Sequence, residues 1–384
     1  MKKILVVLFI SLLFIPSIKA EELGTFAENS KSAILLEPTT GEIIYEKNVH
    51  EKLPPASMTK IMSMLLIMES IDKGIIKWDE MVTVSANASG MGGSQILLET
   101  GEQMSVEDLF KGIAIASGND AVVALAEKIA GTEEMFVKMM NDKAKELGLK
   151  NTNFKNPHGL DAANHYSTAH DMAMIAKELI KHEKVFEYTS IYETYLRQNL
   201  PTKIWLVNTN KLVRFYEGLD GLKTGYTSEA GYCLTFTAKK NNMRLLGVVM
   251  GEPDSSTRNE EVKEMLDYGF AQYEIETMLS TKSVLDTKEV DKGKQRYADL
   301  VPTENINFLN KKTDGKRNAS YEVKIDNLKA PLKVGDKVGT LIIKEENNKT
   351  RNVDITVAKD IEKANIFELF LRNLEDIVTG NIKF

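Results

Sequence analysis

The sequence has a single cysteine, Cys233, in 384 residues. No disulfide can therefore close within one chain. Cys233 sits in the apolar run GYCLTFTA, where it reads as a small buried hydrophobe. A basic surplus is also missing. Lys and Arg number 49 against 55 Asp and Glu, for a formal net charge of −6. That excludes nucleic acid as a partner, because phosphate binding depends on a strong excess of cations. The apolar run at residues 4–15 is twelve residues long, short of the roughly 20 that a membrane-spanning helix takes. There is no internal repeat, no low-complexity tract and no His-Glu-x-x-His. His165 and His170 alone do not make a metal site. The Gly-rich SGMGGS fits no nucleotide motif and reads as a loop near a cleft. No metal or organic cofactor is expected.

What is present begins with an export signal. Residues 1–20 carry two early lysines, the apolar run, a proline and Ala20 as the cleavage residue. Stability after export must then come from the core. The length is that of two or three domains. With 43% hydrophobic and 27% charged residues, the chain reads as globular.

SAILLEPTTGEIIYEKN reads as a β-hairpin turning at residues 38–41. After Pro54 and Pro55 the pattern predicts an apolar, Met-rich helix over 57–72, stopped at Gly74. Ser105 reads as an N-cap, with Glu107 and Asp108 in the first turn, and Gly118 divides the helical block that follows. Thr132 and Thr168 read as further N-caps, and residues 151–161 read as a loop. Residues 232–239 and 244–250 predict a second hairpin, beside a strand that carries residues 223–225. Strands early and late around a helical middle favour an α+β architecture over alternating βαβ units. From about residue 274 short strand runs and turns replace the helical pattern. The expected organisation is a signal at 1–20, a catalytic domain at 21–273, a small all-β domain at 274–361 and an amphipathic helix at 362–384. That helix carries Phe367, Phe370, Leu371, Leu374, Ile377 and Val378 at helical spacing, which suits lying in a membrane surface. Its charge is net acidic, so an electrostatic contribution to such binding is missing.

Three short motifs carry the chemistry. Ser57-Met58-Thr59-Lys60 follows the double proline. Sixty residues on comes Ser117-Gly118-Asn119, at the break between two helices. Lys223-Thr224-Gly225 lies 106 residues further, before a hairpin. Each alone is weak: Ser70 and Lys73 repeat the first spacing, and Ser85 and Asn87 repeat the second. The ordered set is specific. Ser70 and Lys73 are set aside because they fall at the exposed end of a helix, next to Gly74.

A serine hydroxyl needs a nearby base to act as a nucleophile. Residues i and i+3 share a helix face, which puts Lys60 beside Ser57. A lysine serves as base only when burial or a second cation lowers its pKa, and Lys223 is the natural second cation. Ser117, between the two lysines, can pass a proton to the leaving amine. Asn119 can hold the substrate amide, and Thr224 and Thr227 offer hydroxyls along the strand.

With these motifs the chain resembles the penicillin-binding proteins and class A β-lactamases, whose signature is this ordered triplet. SGMGGSQILLETGE, SGNDAVVALAE, FKNPHGLD and KTGYTSEAGYCL resemble more closely the low-molecular-mass D-alanyl-D-alanine carboxypeptidases. The resemblance covers essentially the whole chain. It implies a β-lactamase/transpeptidase-like catalytic domain, an antiparallel sheet with a helical cluster, followed by the all-β domain and terminal helix. It implies a serine peptidase acting on peptidoglycan stem peptides outside the cytoplasmic membrane, acylated by β-lactams. The same resemblance implies an oxyanion hole from the backbone N–H groups of Ser57 and Tyr226, a substrate strand including Gly225, and Arg258 for the substrate carboxylate. An arginine on a helix is ordinarily just solvated. Tyr226 stands where many such enzymes carry His. A β-lactamase is the nearest alternative, but the loop NTNFKNPHGLDAANHY contains no Glu to activate a deacylating water. A non-catalytic module of the same fold is the other. A Ser-His-Asp arrangement through His158 and Asp161 is disfavoured, since Lys60 already fills the base position.

Overall fold

The structure, a computed structural model, describes residues 26–315, 317–345 and 350–380. The export signal expected at 1–20 lies outside the described residues. The first hairpin forms from Ser32–Leu36 and Ile43–Lys47. It joins three later strands in one antiparallel sheet, in the order Ile43–Lys47, Ser32–Leu36, Met243–Glu252, Gly231–Lys240, Leu219–Thr227. Joining the start of the chain to its later part is possible because both hairpins alternate apolar residues to two faces. Ile34, Leu36, Leu246, Val248 and Met250 point to one core. Ala33, Leu35, Leu245 and Val249 point to the other.

The first core lies between the sheet and a helical cluster: Lys60–Asp72, Val106–Ala116, Asn119–Ala130, Glu133–Glu146 and Ala169–Leu179. Lys60–Asp72 is buried on nearly every side, which is why its sequence is apolar without a polar face. Ser105, Thr132 and Thr168 accept N-cap hydrogen bonds as expected. The helix Ser255–Gln272 covers the opposite face of the sheet, packing Val262, Met265 and Leu266 into the second core. A small hairpin, Glu193–Leu196 with Ile204–Val207, was not expected from the sequence.

Tyr273–Leu279 follows that helix directly and pairs with Ile306–Lys311. Five further strands form a sheet in the order Asp286–Glu289, Tyr297–Pro302, Thr350–Val357, Gly339–Glu345, Ala319–Ile325, around a third core. Arg317 reaches back to Glu42 with two hydrogen bonds, at 2.9 and 2.6 Å. The last helix, Ile366–Val378, starts with a capping box between Asn365 and Glu368. Its polar side holds to the β sheet region through Arg296–Asp376 at 2.6 Å and Arg372 to the Gly293 carbonyl. Its apolar side, including Phe367, Phe370, Leu374 and Ile377, faces outward. No helix among the described residues is long and apolar enough to cross a membrane.

Candidate active site

Ser57 lies in the 3-10 turn Ala56–Thr59 that leads into the helix Lys60–Asp72. This turn packs against the strand Leu219–Thr227. Gly225 makes the approach possible: a Cβ there would lie 2.8 Å from the Pro55 carbonyl oxygen and 3.1 Å from the Ala56 Cβ. The glycine of Lys-Thr-Gly is thus a packing requirement, since anything larger pushes Lys223 and Ser57 apart.

Lys60 is 0% exposed. Its Nζ contacts Ser57 Oγ at 3.0 Å, Asn119 Oδ1 at 2.7 Å and the His158 carbonyl oxygen at 2.7 Å. Burial first, and the charge of Lys223 second, hold its pKa well below the ordinary lysine value. A neutral amine has two N–H bonds and one lone pair. Asn119 Oδ1 and the His158 carbonyl can only accept, so they take the two N–H groups. The lone pair is left for the Ser57 hydroxyl. The arrangement can remove a proton from Ser57.

Ser117 caps the helix Val106–Ala116 in the left-handed region, φ 65°. Its Oγ is buried and has no hydrogen-bond partner among the described residues. Asn119 opens the next helix and donates through Nδ2 to the Gly92 carbonyl at 2.6 Å. Both ends of its amide are therefore engaged within the protein. Asp120 accepts from the backbone N–H of Ile96 and of Leu98, holding the segment that follows SGMGGS.

Lys223 is buried, and its Nζ donates to the Thr224 carbonyl at 3.1 Å. Burial, then the nearby Arg258 charge, pulls its pKa down to about 7. Thr224 Oγ1 bonds Thr209 Oγ1 at 2.8 Å. Thr227 Oγ1 donates to Asp161 at 2.8 Å and accepts from the Ala230 N–H, so its hydroxyl ties the strand to the 151–166 loop. Tyr226 is exposed and packs on Tyr232 in a tilted arrangement, with ring centroids 4.3 Å apart. Arg258 is not a solvated helix residue: it is 5% exposed. Its guanidinium donates to Asn259 Oδ1 through Nε and Nη2.

His158 does not make a Ser-His-Asp triad. Its Nδ1 accepts from the Leu160 N–H, and its Nε2 faces Glu133 at 3.5 Å. Only its carbonyl oxygen reaches Ser57 and Lys60. Ser70 is buried rather than at an exposed end, with Oγ donating to the Leu66 carbonyl, while Lys73 pairs outward with Glu69. The two do not meet, for a reason other than the one expected.

The family described as D-alanyl-D-alanine carboxypeptidase, peptidase S11, matches residues 19–254. The chain belongs to that family. The C-terminal domain of penicillin-binding protein 5 matches residues 273–363. The chain is similar to D-alanyl-D-alanine carboxypeptidase DacF of Bacillus subtilis, 49% identical over 98% of this chain and 99% of that one. Among solved structures it is similar to penicillin-binding protein 5 of Haemophilus influenzae, with TM-score 0.70, 33% identity, and coverage of 87% and 98%. It is also similar to penicillin-binding protein D2 of Listeria monocytogenes in a cefotaxime-bound form, with TM-score 0.57, 31% identity, and coverage of 63% and 97%. As a D-alanyl-D-alanine carboxypeptidase it is a serine-type hydrolase with the penicillin-binding-protein fold. The β-lactamase and non-catalytic alternatives are not favoured.

For this carboxypeptidase, sequence reasoning missed two contributors. The His158 carbonyl is invisible in a list of side-chain chemistry, although the run NPHGL marked its loop. Asp120, directly after Ser-Gly-Asn, holds the neighbouring segment, and its adjacency to Asn119 was the available signal.

Proposed function

We propose that Ser57 is the acyl-ester nucleophile and Lys60 its general base in removal of the terminal D-alanine from peptidoglycan stem pentapeptides. The observation that carries this reading is the set of three contacts at Lys60 Nζ, which leaves a lone pair only for Ser57. Ser57 Oγ attacks the carbonyl between the two D-alanines while its proton passes to Lys60. The backbone N–H groups of Ser57 and Tyr226 receive the developing oxyanion, a donor of that kind contributing about 2.7–4 kcal/mol. Ser117 relays a proton to the leaving amine, and D-alanine departs. Water then releases the shortened peptide from Ser57. Asn119 holds Lys60 through Oδ1, and the Nδ2 hydrogen not given to the Gly92 carbonyl is left for the substrate amide. Lys223, Thr224, Gly225 and Thr227 form the strand along which the substrate lies, and Arg258 anchors its terminal carboxylate.

Because the Listeria relative is described in a cefotaxime-bound form, β-lactams are expected to acylate Ser57. Action on peptidoglycan implies work outside the cytoplasmic membrane, in line with an export signal at 1–20. The outward apolar face of Ile366–Val378 suits a membrane surface as its partner.

Intact mass after addition of penicillin tests the reading, with Ser57→Ala as control. A persistent penicilloyl adduct on the native protein, absent from the variant, is expected. Equal labelling of both proteins would remove Ser57 from the mechanism.

A further inference from the structure

Glu252 ends the strand Met243–Glu252 and is 1% exposed. Neither of its carboxylate oxygens has a hydrogen-bond partner among the described residues. Glu261 lies close by and is also buried. Its Oε1 accepts from the backbone N–H and the side-chain amide of Asn29, at 2.9 and 2.7 Å. Its Oε2 has no such partner. Three orphaned carboxylate oxygens in one buried place carry a heavy desolvation penalty. A single proton shared by the pair removes it, because one carboxyl becomes a donor and the other stays an acceptor. Burial, followed by the neighbouring Glu261 carboxylate, pushes Glu252 up to about 8. Asn29 supplies two donors to Glu261, which suits it as the acceptor of the pair.

Arg258 stands one turn before Glu261 on the same helix, so the two share its buried face. The Arg258 charge acts on Glu252 and on Lys223. Its bonds to Asn259 use Nε and Nη2, and Nη1 has no protein acceptor among the described residues. Among the described residues, other groups near the pair are few. Lys47 lowers the Glu252 pKa but spends its ammonium on the Ala27 and Glu28 carbonyls. Tyr45 is near Glu261, Tyr232 is the strand partner of Glu252, Cys233 lies beside Arg258, and the Lys31 side chain packs on Gly251.

We propose that Glu252 is a positioning residue that keeps Arg258 available to the substrate carboxylate only while it shares a proton with Glu261. This rests on the reading of Arg258 as the carboxylate anchor. Once ionised, Glu252 is a second buried anion in the field of the Arg258 charge and competes with substrate for it. The consequence is a rise in KM on the alkaline side, separate from the effect of Lys60 on kcat.

The experiment is kcat and KM for a peptide ending in D-Ala-D-Ala, from pH 6 to 10, for the full chain and for E252Q, E261Q and R258Q. In the native protein KM should rise about tenfold above pH 8. In E252Q the amide donates to Glu261 at every pH, so that rise should disappear. In E261Q the like charge is gone, Glu252 ionises earlier, and the rise should move to lower pH. Lys223 titrates in all of these proteins, so the differences between curves decide. If E252Q and E261Q share the native KM curve while R258Q raises KM, the anchor stands and the role of Glu252 is overturned. If R258Q leaves KM unchanged, the anchor reading fails and takes this proposal with it. Should E252Q not fold, the acid-ward shift in E261Q remains as an independent test, and its absence is equally fatal.

Discussion

Lys60 Nζ lies 2.7 Å from the backbone carbonyl oxygen of His158, across 98 residues of sequence. That contact, with Asn119 Oδ1, fixes which way the lysine lone pair can point. The His158 ring faces away toward Glu133. The loop therefore contributes main chain, not imidazole, to the site. A second histidine holds the loop in place. His165 Nδ1 accepts from the Lys155 N–H, so its Nε2–H donates to Thr59 Oγ1 at 2.8 Å. Burial brings the His165 pKa down to about 4, so this tautomer is neutral across the working range.

The base must be neutral to work. The folded pKa of Lys60 is depressed, so the free amine increases as pH rises toward that value and is complete above it. Acylation by penicillin should rise with pH and level off well below 10.5. Lys60→Arg keeps a cation that no accessible pH deprotonates. Acylation should fall by about 10²–10⁴ and lose the ascending limb. Stopped-flow or quench measurements across pH check both points.

Ser117 Oγ has no hydrogen-bond partner among the described residues. Its removal leaves no orphaned partner. Ser117→Ala should therefore melt within a few degrees of the native protein, while turnover on a D-Ala-D-Ala peptide falls by about 10²–10³. A large drop in melting temperature would mean that the hydroxyl has a structural role.

Gly159 has φ 88°, and a Cβ there would sit 1.8 Å from the Ala56 carbonyl oxygen. Backbone must move to admit Gly159→Ala, and the residue adjoins both the His158 carbonyl and the Ser57 turn. A loss of about 3 kcal/mol or more in urea unfolding is expected, from the strain together with the clash. Penicillin acylation of the folded fraction should slow as well, because the Lys60 acceptor is displaced.

The outward face of Ile366–Val378 should bind lipid without help from charge. Glu368, Glu375 and Asp376 stand against Arg372 and Lys383 after residue 363. Cosedimentation with zwitterionic phosphatidylcholine vesicles should match or exceed that with vesicles rich in phosphatidylserine, and salt should not weaken it. The double change Phe370→Glu and Leu374→Glu should abolish it. Binding only to anionic vesicles would point to a basic patch elsewhere.

The sequence determined the elements and their chemistry. Alternation of apolar residues marked the two hairpins, and caps at Ser105, Thr132 and Thr168 marked helix starts, because these signals act over a few residues. The order of Ser57–Lys60, Ser117–Asn119 and Lys223–Gly225 was legible for the same reason: each motif is local. Only the tertiary structure decided what surrounds them. Burial of Lys60 and Lys223, the His158 carbonyl on the amine and a Ser117 hydroxyl without a partner among the described residues arise where segments about a hundred residues apart meet. Arg258 illustrates the difference most directly. Its helix could be expected from local pattern, but whether the guanidinium faces water or is buried depends on which part of the sheet the helix covers. Desolvation and charge are set by everything within a few ångströms, and no local pattern encodes that neighbourhood.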